Sequence, residues 1–592
     1  MTRPASPVRD SALLLVASLS LLLNLAGLTW GLPARWHPDE RADAVLSMAR
    51  ERRLAPDSFI NPSLPLYAML PAVGLQDRLA EAGILHGVAT LPLVAGRALA
   101  ALAGAAAVLV LGFAARRHAP AFGLLPPLLL ALSPGVVNLC HFATPEAWLL
   151  LGTTATLALA LECADGRASV LALGFALGLT ASTKYTAAAL LAPALWAIAI
   201  RPQGVAARRD RVVLGLTGIL ALTTGLLLLG GPGAALGAGL HLPDARLLHP
   251  EQALGFVRSL GRALALGGAL ALGLGALAGS RSTGLVHRVV SPLARADTVW
   301  LLLAAAFGFL LGTPFAALRP VEFLSDLAFN AQTRLEYKGL RGEATSFMPY
   351  AGLLGDALTL PVLVAAVVGL LLAVTGASRR PKPLILALAL AAPYVLVASS
   401  GHRALRFLAV AWPAAAWLAA ASLNAIANRR TRIVAQAAVV ARAAVAAVLV
   451  TRLFFVDSRI LAARYLEANV PPGGTVDLIA NDPGYAPTVP EGRTLRRVAT
   501  LSREMAPVPV FAEAAARYPA EAAPWLVLTE SFYRRFLEHA DQQPERAAFF
   551  TELLEGRGGF EVAARFRQQG FLHPENEFLD PEIVVLRRRS EP

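Results

Sequence analysis

The sequence predicts an α-helical polytopic membrane protein with about 13 transmembrane helices and a small C-terminal α/β domain. Hydrophobic residues form 56% of the 592-residue chain and charged residues 16%, where a soluble domain carries about 25% charged residues. Apolar runs of spanning length recur from Ser11 to about Thr451 and then stop; a spanning helix needs roughly 20 such residues. Basic residues cluster in the short loops between the runs, as membrane topology requires.

The first span runs from Ser11 to Trp30. Arg3 and Arg9 precede it, as in a signal peptide, but its apolar core is nearer about 20 residues than the 7–15 of a cleaved signal, so a retained helix is expected. A long polar-amphipathic loop follows over 31–87. Further spans are expected near 91–114, 121–140, 146–162, 168–183, 185–200, 212–231, 256–279, 298–316, 353–376, 384–399, 405–424 and 433–451. With the N-terminus inside, the loops holding Arg116-Arg117, Arg208-Arg209, Arg288, Arg379-Arg380 and Arg429-Arg430 all fall on the cytoplasmic side. The same alternation puts the 31–87 loop, the 317–350 loop and the tail outside. The expected domains are therefore 1–455 in the membrane and 456–592 beyond it.

The net charge of +13 is explained by these loops and does not call for nucleic acid. Lys184, Lys338 and Lys382 are the only lysines, a bias towards Arg that fits a GC-rich bacterial genome. Cys140 and Cys163 are placed near opposite ends of one helix, on the order of 30 Å apart, so no disulfide is expected. In the tail, Val476–Ala480, Trp525–Thr529 and Ile583–Leu586 read as buried strands, and 458–469, 531–540 and 544–555 as helices. It holds no nucleotide-binding glycine loop and no metal-spaced Cys or His cluster, and reads as a packing or acceptor-facing module.

Chemistry-bearing residues gather in the outer loops. His37-Pro38-Asp39-Glu40 follows the first span. Pro and acids suit a helix start, but a carboxylate at a membrane surface can also have a raised pKa and act as a general base on a hydroxyl acceptor. His141 to Trp148 contains Thr144-Pro145-Glu146, either a capped helix start or a second acid of the site. Lys184 lies between two apolar runs, where it either snorkels outward or meets a phosphate. Arg319, Arg334, Lys338 and Arg341 lie in the 317–350 loop, and Gly401-His402-Arg403-Ala404-Leu405-Arg406-Phe407 joins two spans. Basic groups there either anchor the chain to lipid headgroups or stabilise charge on a departing phosphate.

In order and expected sidedness these motifs resemble the GT-C glycosyltransferases, in particular the bacterial relatives of dolichyl-phosphate-mannose protein mannosyltransferases, which include the lipid A aminoarabinose transferases. His37-Pro38-Asp39-Glu40 is similar to that family's first-loop acidic motif, Pro145-Glu146 to its Pro-Asp, and Thr183-Lys184-Tyr185 to its Thr-Lys-aromatic signal. Gly401 to Phe407 resembles the His-Lys-Glu-x-Arg-Phe motif of related mannosyltransferases, except that Ala404 replaces the acid. The resemblance implies inverting sugar transfer from a polyprenyl-phosphate donor to an unknown lipid, glycan or protein acceptor. Asp39, Glu40 and Glu146 would be the catalytic acids, with Asp39 the base. Lys184, Arg334, Lys338, His402, Arg403 and Arg406 would meet the donor phosphate. A divalent ion (Mg, Mn or Zn), which some members use, would fall to His37, Glu40 and Glu146. Two other classes stay open: a transporter or lipid flippase, which would call for repeated halves and more intramembrane charge than Arg97, Arg262 and Arg442 supply, and a non-catalytic assembly factor. The Trp-Trp-Asp motif of oligosaccharyltransferases is absent.

Overall fold

The computed structural model describes residues 10–202, 207–240, 250–277, 295–333, 336–337, 340–341, 346–400, 403–480, 483–568 and 578–589. The chain begins with α1 (Asp10–Leu25), α2 (Ala42–Arg50), α3 (Leu64–Glu81), α4 (Pro92–His118), α5 (Leu125–Ala131), α6 (Pro134–Leu139), α7 (Glu146–Ala164) and α8 (Val170–Ala181). The expected outer loop 31–87 thus contains two helices, α2 and α3.

Among the described residues, every apolar segment read as a span falls on helix. Six described helices are long and apolar enough to cross a membrane, or seven if the bent pair Phe347–Leu358 and Leu360–Thr375 is one span. Five further described apolar helices are shorter, at 10–17 residues, and local breaks interrupt two other expected spans. The 121–140 segment divides at Leu132-Ser133, because Pro134 pushes the residue before it out of helical geometry; the Ser133 hydroxyl donates instead to the Ala357 carbonyl at 2.6 Å. The 353–376 segment bends by 114° at Thr359, where φ is +77°.

Small residues let the helices approach. A Cβ at Gly112 of α4 would run into Leu13 of α1, and one at Gly174 or Gly178 of α8 into backbone carbonyls of the helix Ala296–Gly312. This is how helices associate where lipid removes the hydrophobic drive between them. Leu15, Leu22, Leu220 and Leu266 meanwhile stay outward and exposed, as lipid-facing positions do. The chain is a multi-pass membrane protein. At one end of the bundle, Asp10 pairs with Arg116, Glu162 with Arg117 and Arg167, and Asp165 with Lys382. The start of α1, the ends of α4 and α7, and the loop before Leu384–Ala398 therefore share that end.

A two-stranded hairpin, β1 (Glu336–Tyr337) and β2 (Leu340–Arg341), lies in the 317–350 loop. The tail forms one five-stranded sheet of β3 (Thr475–Ile479), β4 (Thr494–Arg497), β5 (Trp525–Thr529), β6 (Phe560–Phe566) and β7 (Ile583–Arg588), in the order β4-β3-β5-β7-β6. β3 is parallel to β4 and β5, while β7 is antiparallel to β5 and β6. The three strands expected from the sequence are the central ones. The two edge strands lack a continuous apolar run: β4 is exposed along its length, and β6 carries a register shift at Val562/Ala564.

Candidate active site

At the other end of the bundle, the chain leaves α1 and turns back through Gly27 and Gly31, both at positive φ. Side chains there would strike Phe454 and Trp36. The turn carries Trp30, Trp36 and His37 into an aromatic cluster with Phe142 and Phe454. His37 is buried, with the rings of Phe142 and Phe578 each 4.2 Å away. Its Nδ1 accepts the Asp39 backbone N–H at 3.2 Å. Burial lowers its pKa to about 4, so it is neutral near pH 7.

Asp39 and Glu40 do not cap α2, whose N-cap is Arg41 with no side-chain bond. They diverge. Asp39 keeps 49% of its side chain exposed and forms an ion pair with Arg406. Burial in its crowded recess pushes its pKa up, but the Arg406 guanidinium and His37 outweigh this and hold the carboxyl below the usual range. That reverses the raised value expected from the sequence. Glu40 is buried, and both its oxygens accept from Arg97 of α4, at 2.8 and 2.7 Å. Its Oε1 also takes the Ala143 N–H at 2.9 Å. Arg97 donates further to the carbonyls of Leu28 and Trp30, at 2.8 and 2.7 Å. Burial raises the Glu40 pKa, and the Arg97 charge more than offsets it. The pair is a buried brace between α4 and the first loop.

Glu146 opens α7; its N-cap position is Pro145, not Thr144, and no side-chain cap bond forms. The Glu146 carboxylate accepts from Lys184, and both side chains are buried. Lys184 therefore does not snorkel outward. Its ammonium lies 5.1 Å from the centre of the Phe407 ring, next to Arg406. Asp39 and Glu146 each feel the charges of both Arg406 and Lys184, so four segments distant in sequence bring two acids and two bases into one cluster. Arg403 instead directs its Nε to the Ser346 hydroxyl, 3.1 Å away. Arg334, Lys338 and His402 lie outside the described residues.

The proposed metal set does not fit. Glu40 is committed to Arg97, Glu146 to Lys184, and His37 Nδ1 to a backbone N–H. Among the described residues, no group of three or more His, Cys, Asp or Glu side chains is arranged to hold a metal ion.

Three residues of this region carry no sequence motif. Arg97 stood out as a costly charge in an apolar run, but its partner 57 positions away is not readable from spacing. Arg459, just after the last span, is fully buried between the rings of Trp30 and Trp36, 4.9 and 4.7 Å from their centres. It also pairs with Asp457, which accepts from Trp30 Nε1 at 3.3 Å. Phe578 reaches in from the tail.

Among solved structures, the chain is similar to ArnT from Cupriavidus metallidurans bound to undecaprenyl phosphate, at 14% identity and a TM-score of 0.42, covering 98% of each chain. It is similar to the oligosaccharyltransferase AglB from Archaeoglobus fulgidus at 13% identity and a TM-score of 0.44, over 93% of this chain and 72% of that one. It is also similar to the arabinofuranosyltransferase AftD from Mycobacteria at 16% identity and a TM-score of 0.36, over 99% of this chain and 40% of that one. No curated protein matches it in sequence. Residues 83–203, which carry Arg97, Glu146 and Lys184, match the family described as dolichyl-phosphate-mannose-protein mannosyltransferase.

Proposed function

We propose that the protein is a membrane glycosyltransferase that moves a sugar from a polyprenyl-phosphate donor to an acceptor on the outer face of a bacterial cytoplasmic membrane. The observation that carries this reading is the meeting of Asp39, Arg406, Glu146 and Lys184 at one end of a helical bundle. The Arg116-Arg117 and Lys382 loops and the start of α1 gather at the opposite end, which supports an outward-facing site with residues 456–592 on the same side.

In this reading the acceptor hydroxyl attacks the anomeric carbon of the donor. Asp39 takes the hydroxyl proton, because a neutral hydroxyl is a poor nucleophile. The bond from the anomeric carbon to the phosphate oxygen breaks, inverting the centre, and the polyprenyl phosphate leaves with the bonding pair. Arg406 and Lys184 stabilise the charge that develops on it. In the resting protein Arg406 is engaged by Asp39. A donor phosphate competes for the same guanidinium, which frees Asp39 and lets its pKa rise towards the ordinary range, so the base is released once the donor has arrived. Glu40 acts through position: with Arg97 it fixes the loop from which Asp39 projects.

Purified Asp39→Asn should fold and bind undecaprenyl phosphate but transfer sugar at least about a hundredfold more slowly, since a general base supplies about 10²–10⁴-fold. Near-normal turnover, with wild type active in the same assay, would sink the assignment. The assay is best set up by mass spectrometry of envelope glycans in a deletion strain, which identifies sugar and acceptor.

A further inference from the structure

Phe578, just before β7, reaches the Asp39–Arg406 recess from the tail. Its ring centre lies 5.3 Å from the Arg406 guanidinium carbon and 4.2 Å from the His37 ring. Its backbone has φ +67°, a conformation that is a genuine outlier for a bulky residue and that persists only where the surroundings over-determine it. Here they do. Arg459 Nη2 donates to the Phe578 carbonyl at 2.7 Å. Leu579 is buried in the cluster of Trp30, Trp36 and Phe142. The Asp580 carboxylate accepts the Ser458 N–H, and the Asp580 N–H donates to Asp457, both at 2.9 Å. With the backbone held at Phe578 and Asp580 and the Leu579 side chain buried between them, the Phe578 ring is aimed at the recess.

A guanidinium hydrogen-bonds in its plane and stacks through its face. A ring against the face therefore sets the plane in which the N–H groups point. The Arg406 guanidinium carbon lies over the Phe578 ring and over a second ring, Phe407, 5.8 Å from its centre, while Nη1 of the same guanidinium donates to Asp39. We propose that Phe578 is a positioning residue by which the C-terminal unit completes the site: its ring holds the Arg406 guanidinium in the orientation that serves Asp39 and, in its place, a donor phosphate. The inference rests on the reading of Arg406 as a phosphate ligand. It also gives the tail a part in the site, where the sequence suggested a packing or acceptor-facing module.

The test is the affinity of the purified full-length protein for undecaprenyl phosphate in detergent, with melting temperature recorded for every variant. Phe578→Leu should weaken binding roughly three- to tenfold, the scale of a partly desolvated cation–π contact, and Phe578→Tyr should restore it. Arg406→Gln should weaken it more, and adding Phe578→Leu to Arg406→Gln should cost nothing further. If Phe578→Leu weakens binding equally in both backgrounds, or leaves it unchanged while Arg406→Gln weakens it, the proposal is overturned and the phosphate reading stands. If Arg406→Gln itself binds normally, the phosphate reading fails. Should Phe578→Leu not fold, Arg406→Lys serves instead. It keeps the charge but loses the planar face, so it should show a comparable loss, and wild-type affinity would count against the proposal.

Discussion

Substituting Met for Arg97 would leave Glu40 buried and charged, with the Ala143 N–H as its remaining partner among the described residues. It would also strip the Leu28 and Trp30 carbonyls of their donor. Both partners of the ion pair are 1% exposed, so solvent screening does not soften the loss. Breaking a buried pair on one side costs about 3–5 kcal/mol. Replacing both sides with apolar groups of similar size is often neutral, because neither charge then has to be desolvated. The expected order of thermal stability in detergent is thus wild type close to Glu40→Leu/Arg97→Met, with Arg97→Met well below both. Glu40→Gln should also fall, because it leaves Arg97 as the uncompensated charge. Intrinsic tryptophan fluorescence during heating is a suitable readout, since Trp30 lies against the brace. Turnover separates the roles. A positioning Glu40 ties activity loss to stability loss, whereas Glu40→Gln with wild-type melting and a hundredfold lower rate would mean that Glu40 takes part in the chemistry and would refute the argument.

Arg406→Gln should shift the acid limb of the kcat/KM profile to higher pH. Protonated Asp39 cannot act as a base, burial alone raises its pKa, and Arg406 is the chief group opposing that rise; an unmoved limb would show that another group sets it. Lys184→Met should destabilise the protein by about 3–5 kcal/mol by stranding Glu146, and Lys184→Met/Glu146→Leu should recover most of it; equal melting of wild type and both variants would mean the pair is hydrated. Reporter fusions after Arg430 and after Asp457 should report opposite compartments, since the helix Arg429–Leu453 lies between them; the same side for both would place the tail and the basic loops together.

The sequence makes the spans legible because apolar length is a local property. What it hides is where a run is interrupted: Ser133-Pro134 and Thr359 break helices at positions that hydropathy averages over. The central strands of the tail are visible as apolar runs, while β4, with Thr494, Arg496 and Arg497, is not. In the site, the order of motifs points to Asp39, Glu146, Lys184 and Arg406, yet it does not tell which charge each one meets. Glu40 and Lys184 are taken up by partners 57 and 38 residues away, and those pairings exist only in three dimensions. Phe578 lies in no motif, since an isolated aromatic in a polar stretch carries no periodicity to flag it.

The clamp of Asp457 and Arg459 on Trp30, Trp36 and Phe578 has a consequence for the order of biosynthesis. Asp39 leaves the ribosome long before Phe578, whose ring completes its surroundings. A nascent chain already threaded through the membrane carries the acid long before it carries the parts that orient Arg406. In the proposed reading, transfer then waits for the tail to dock, so a chain inserted beside a lipid donor stays silent until Phe578 has been made.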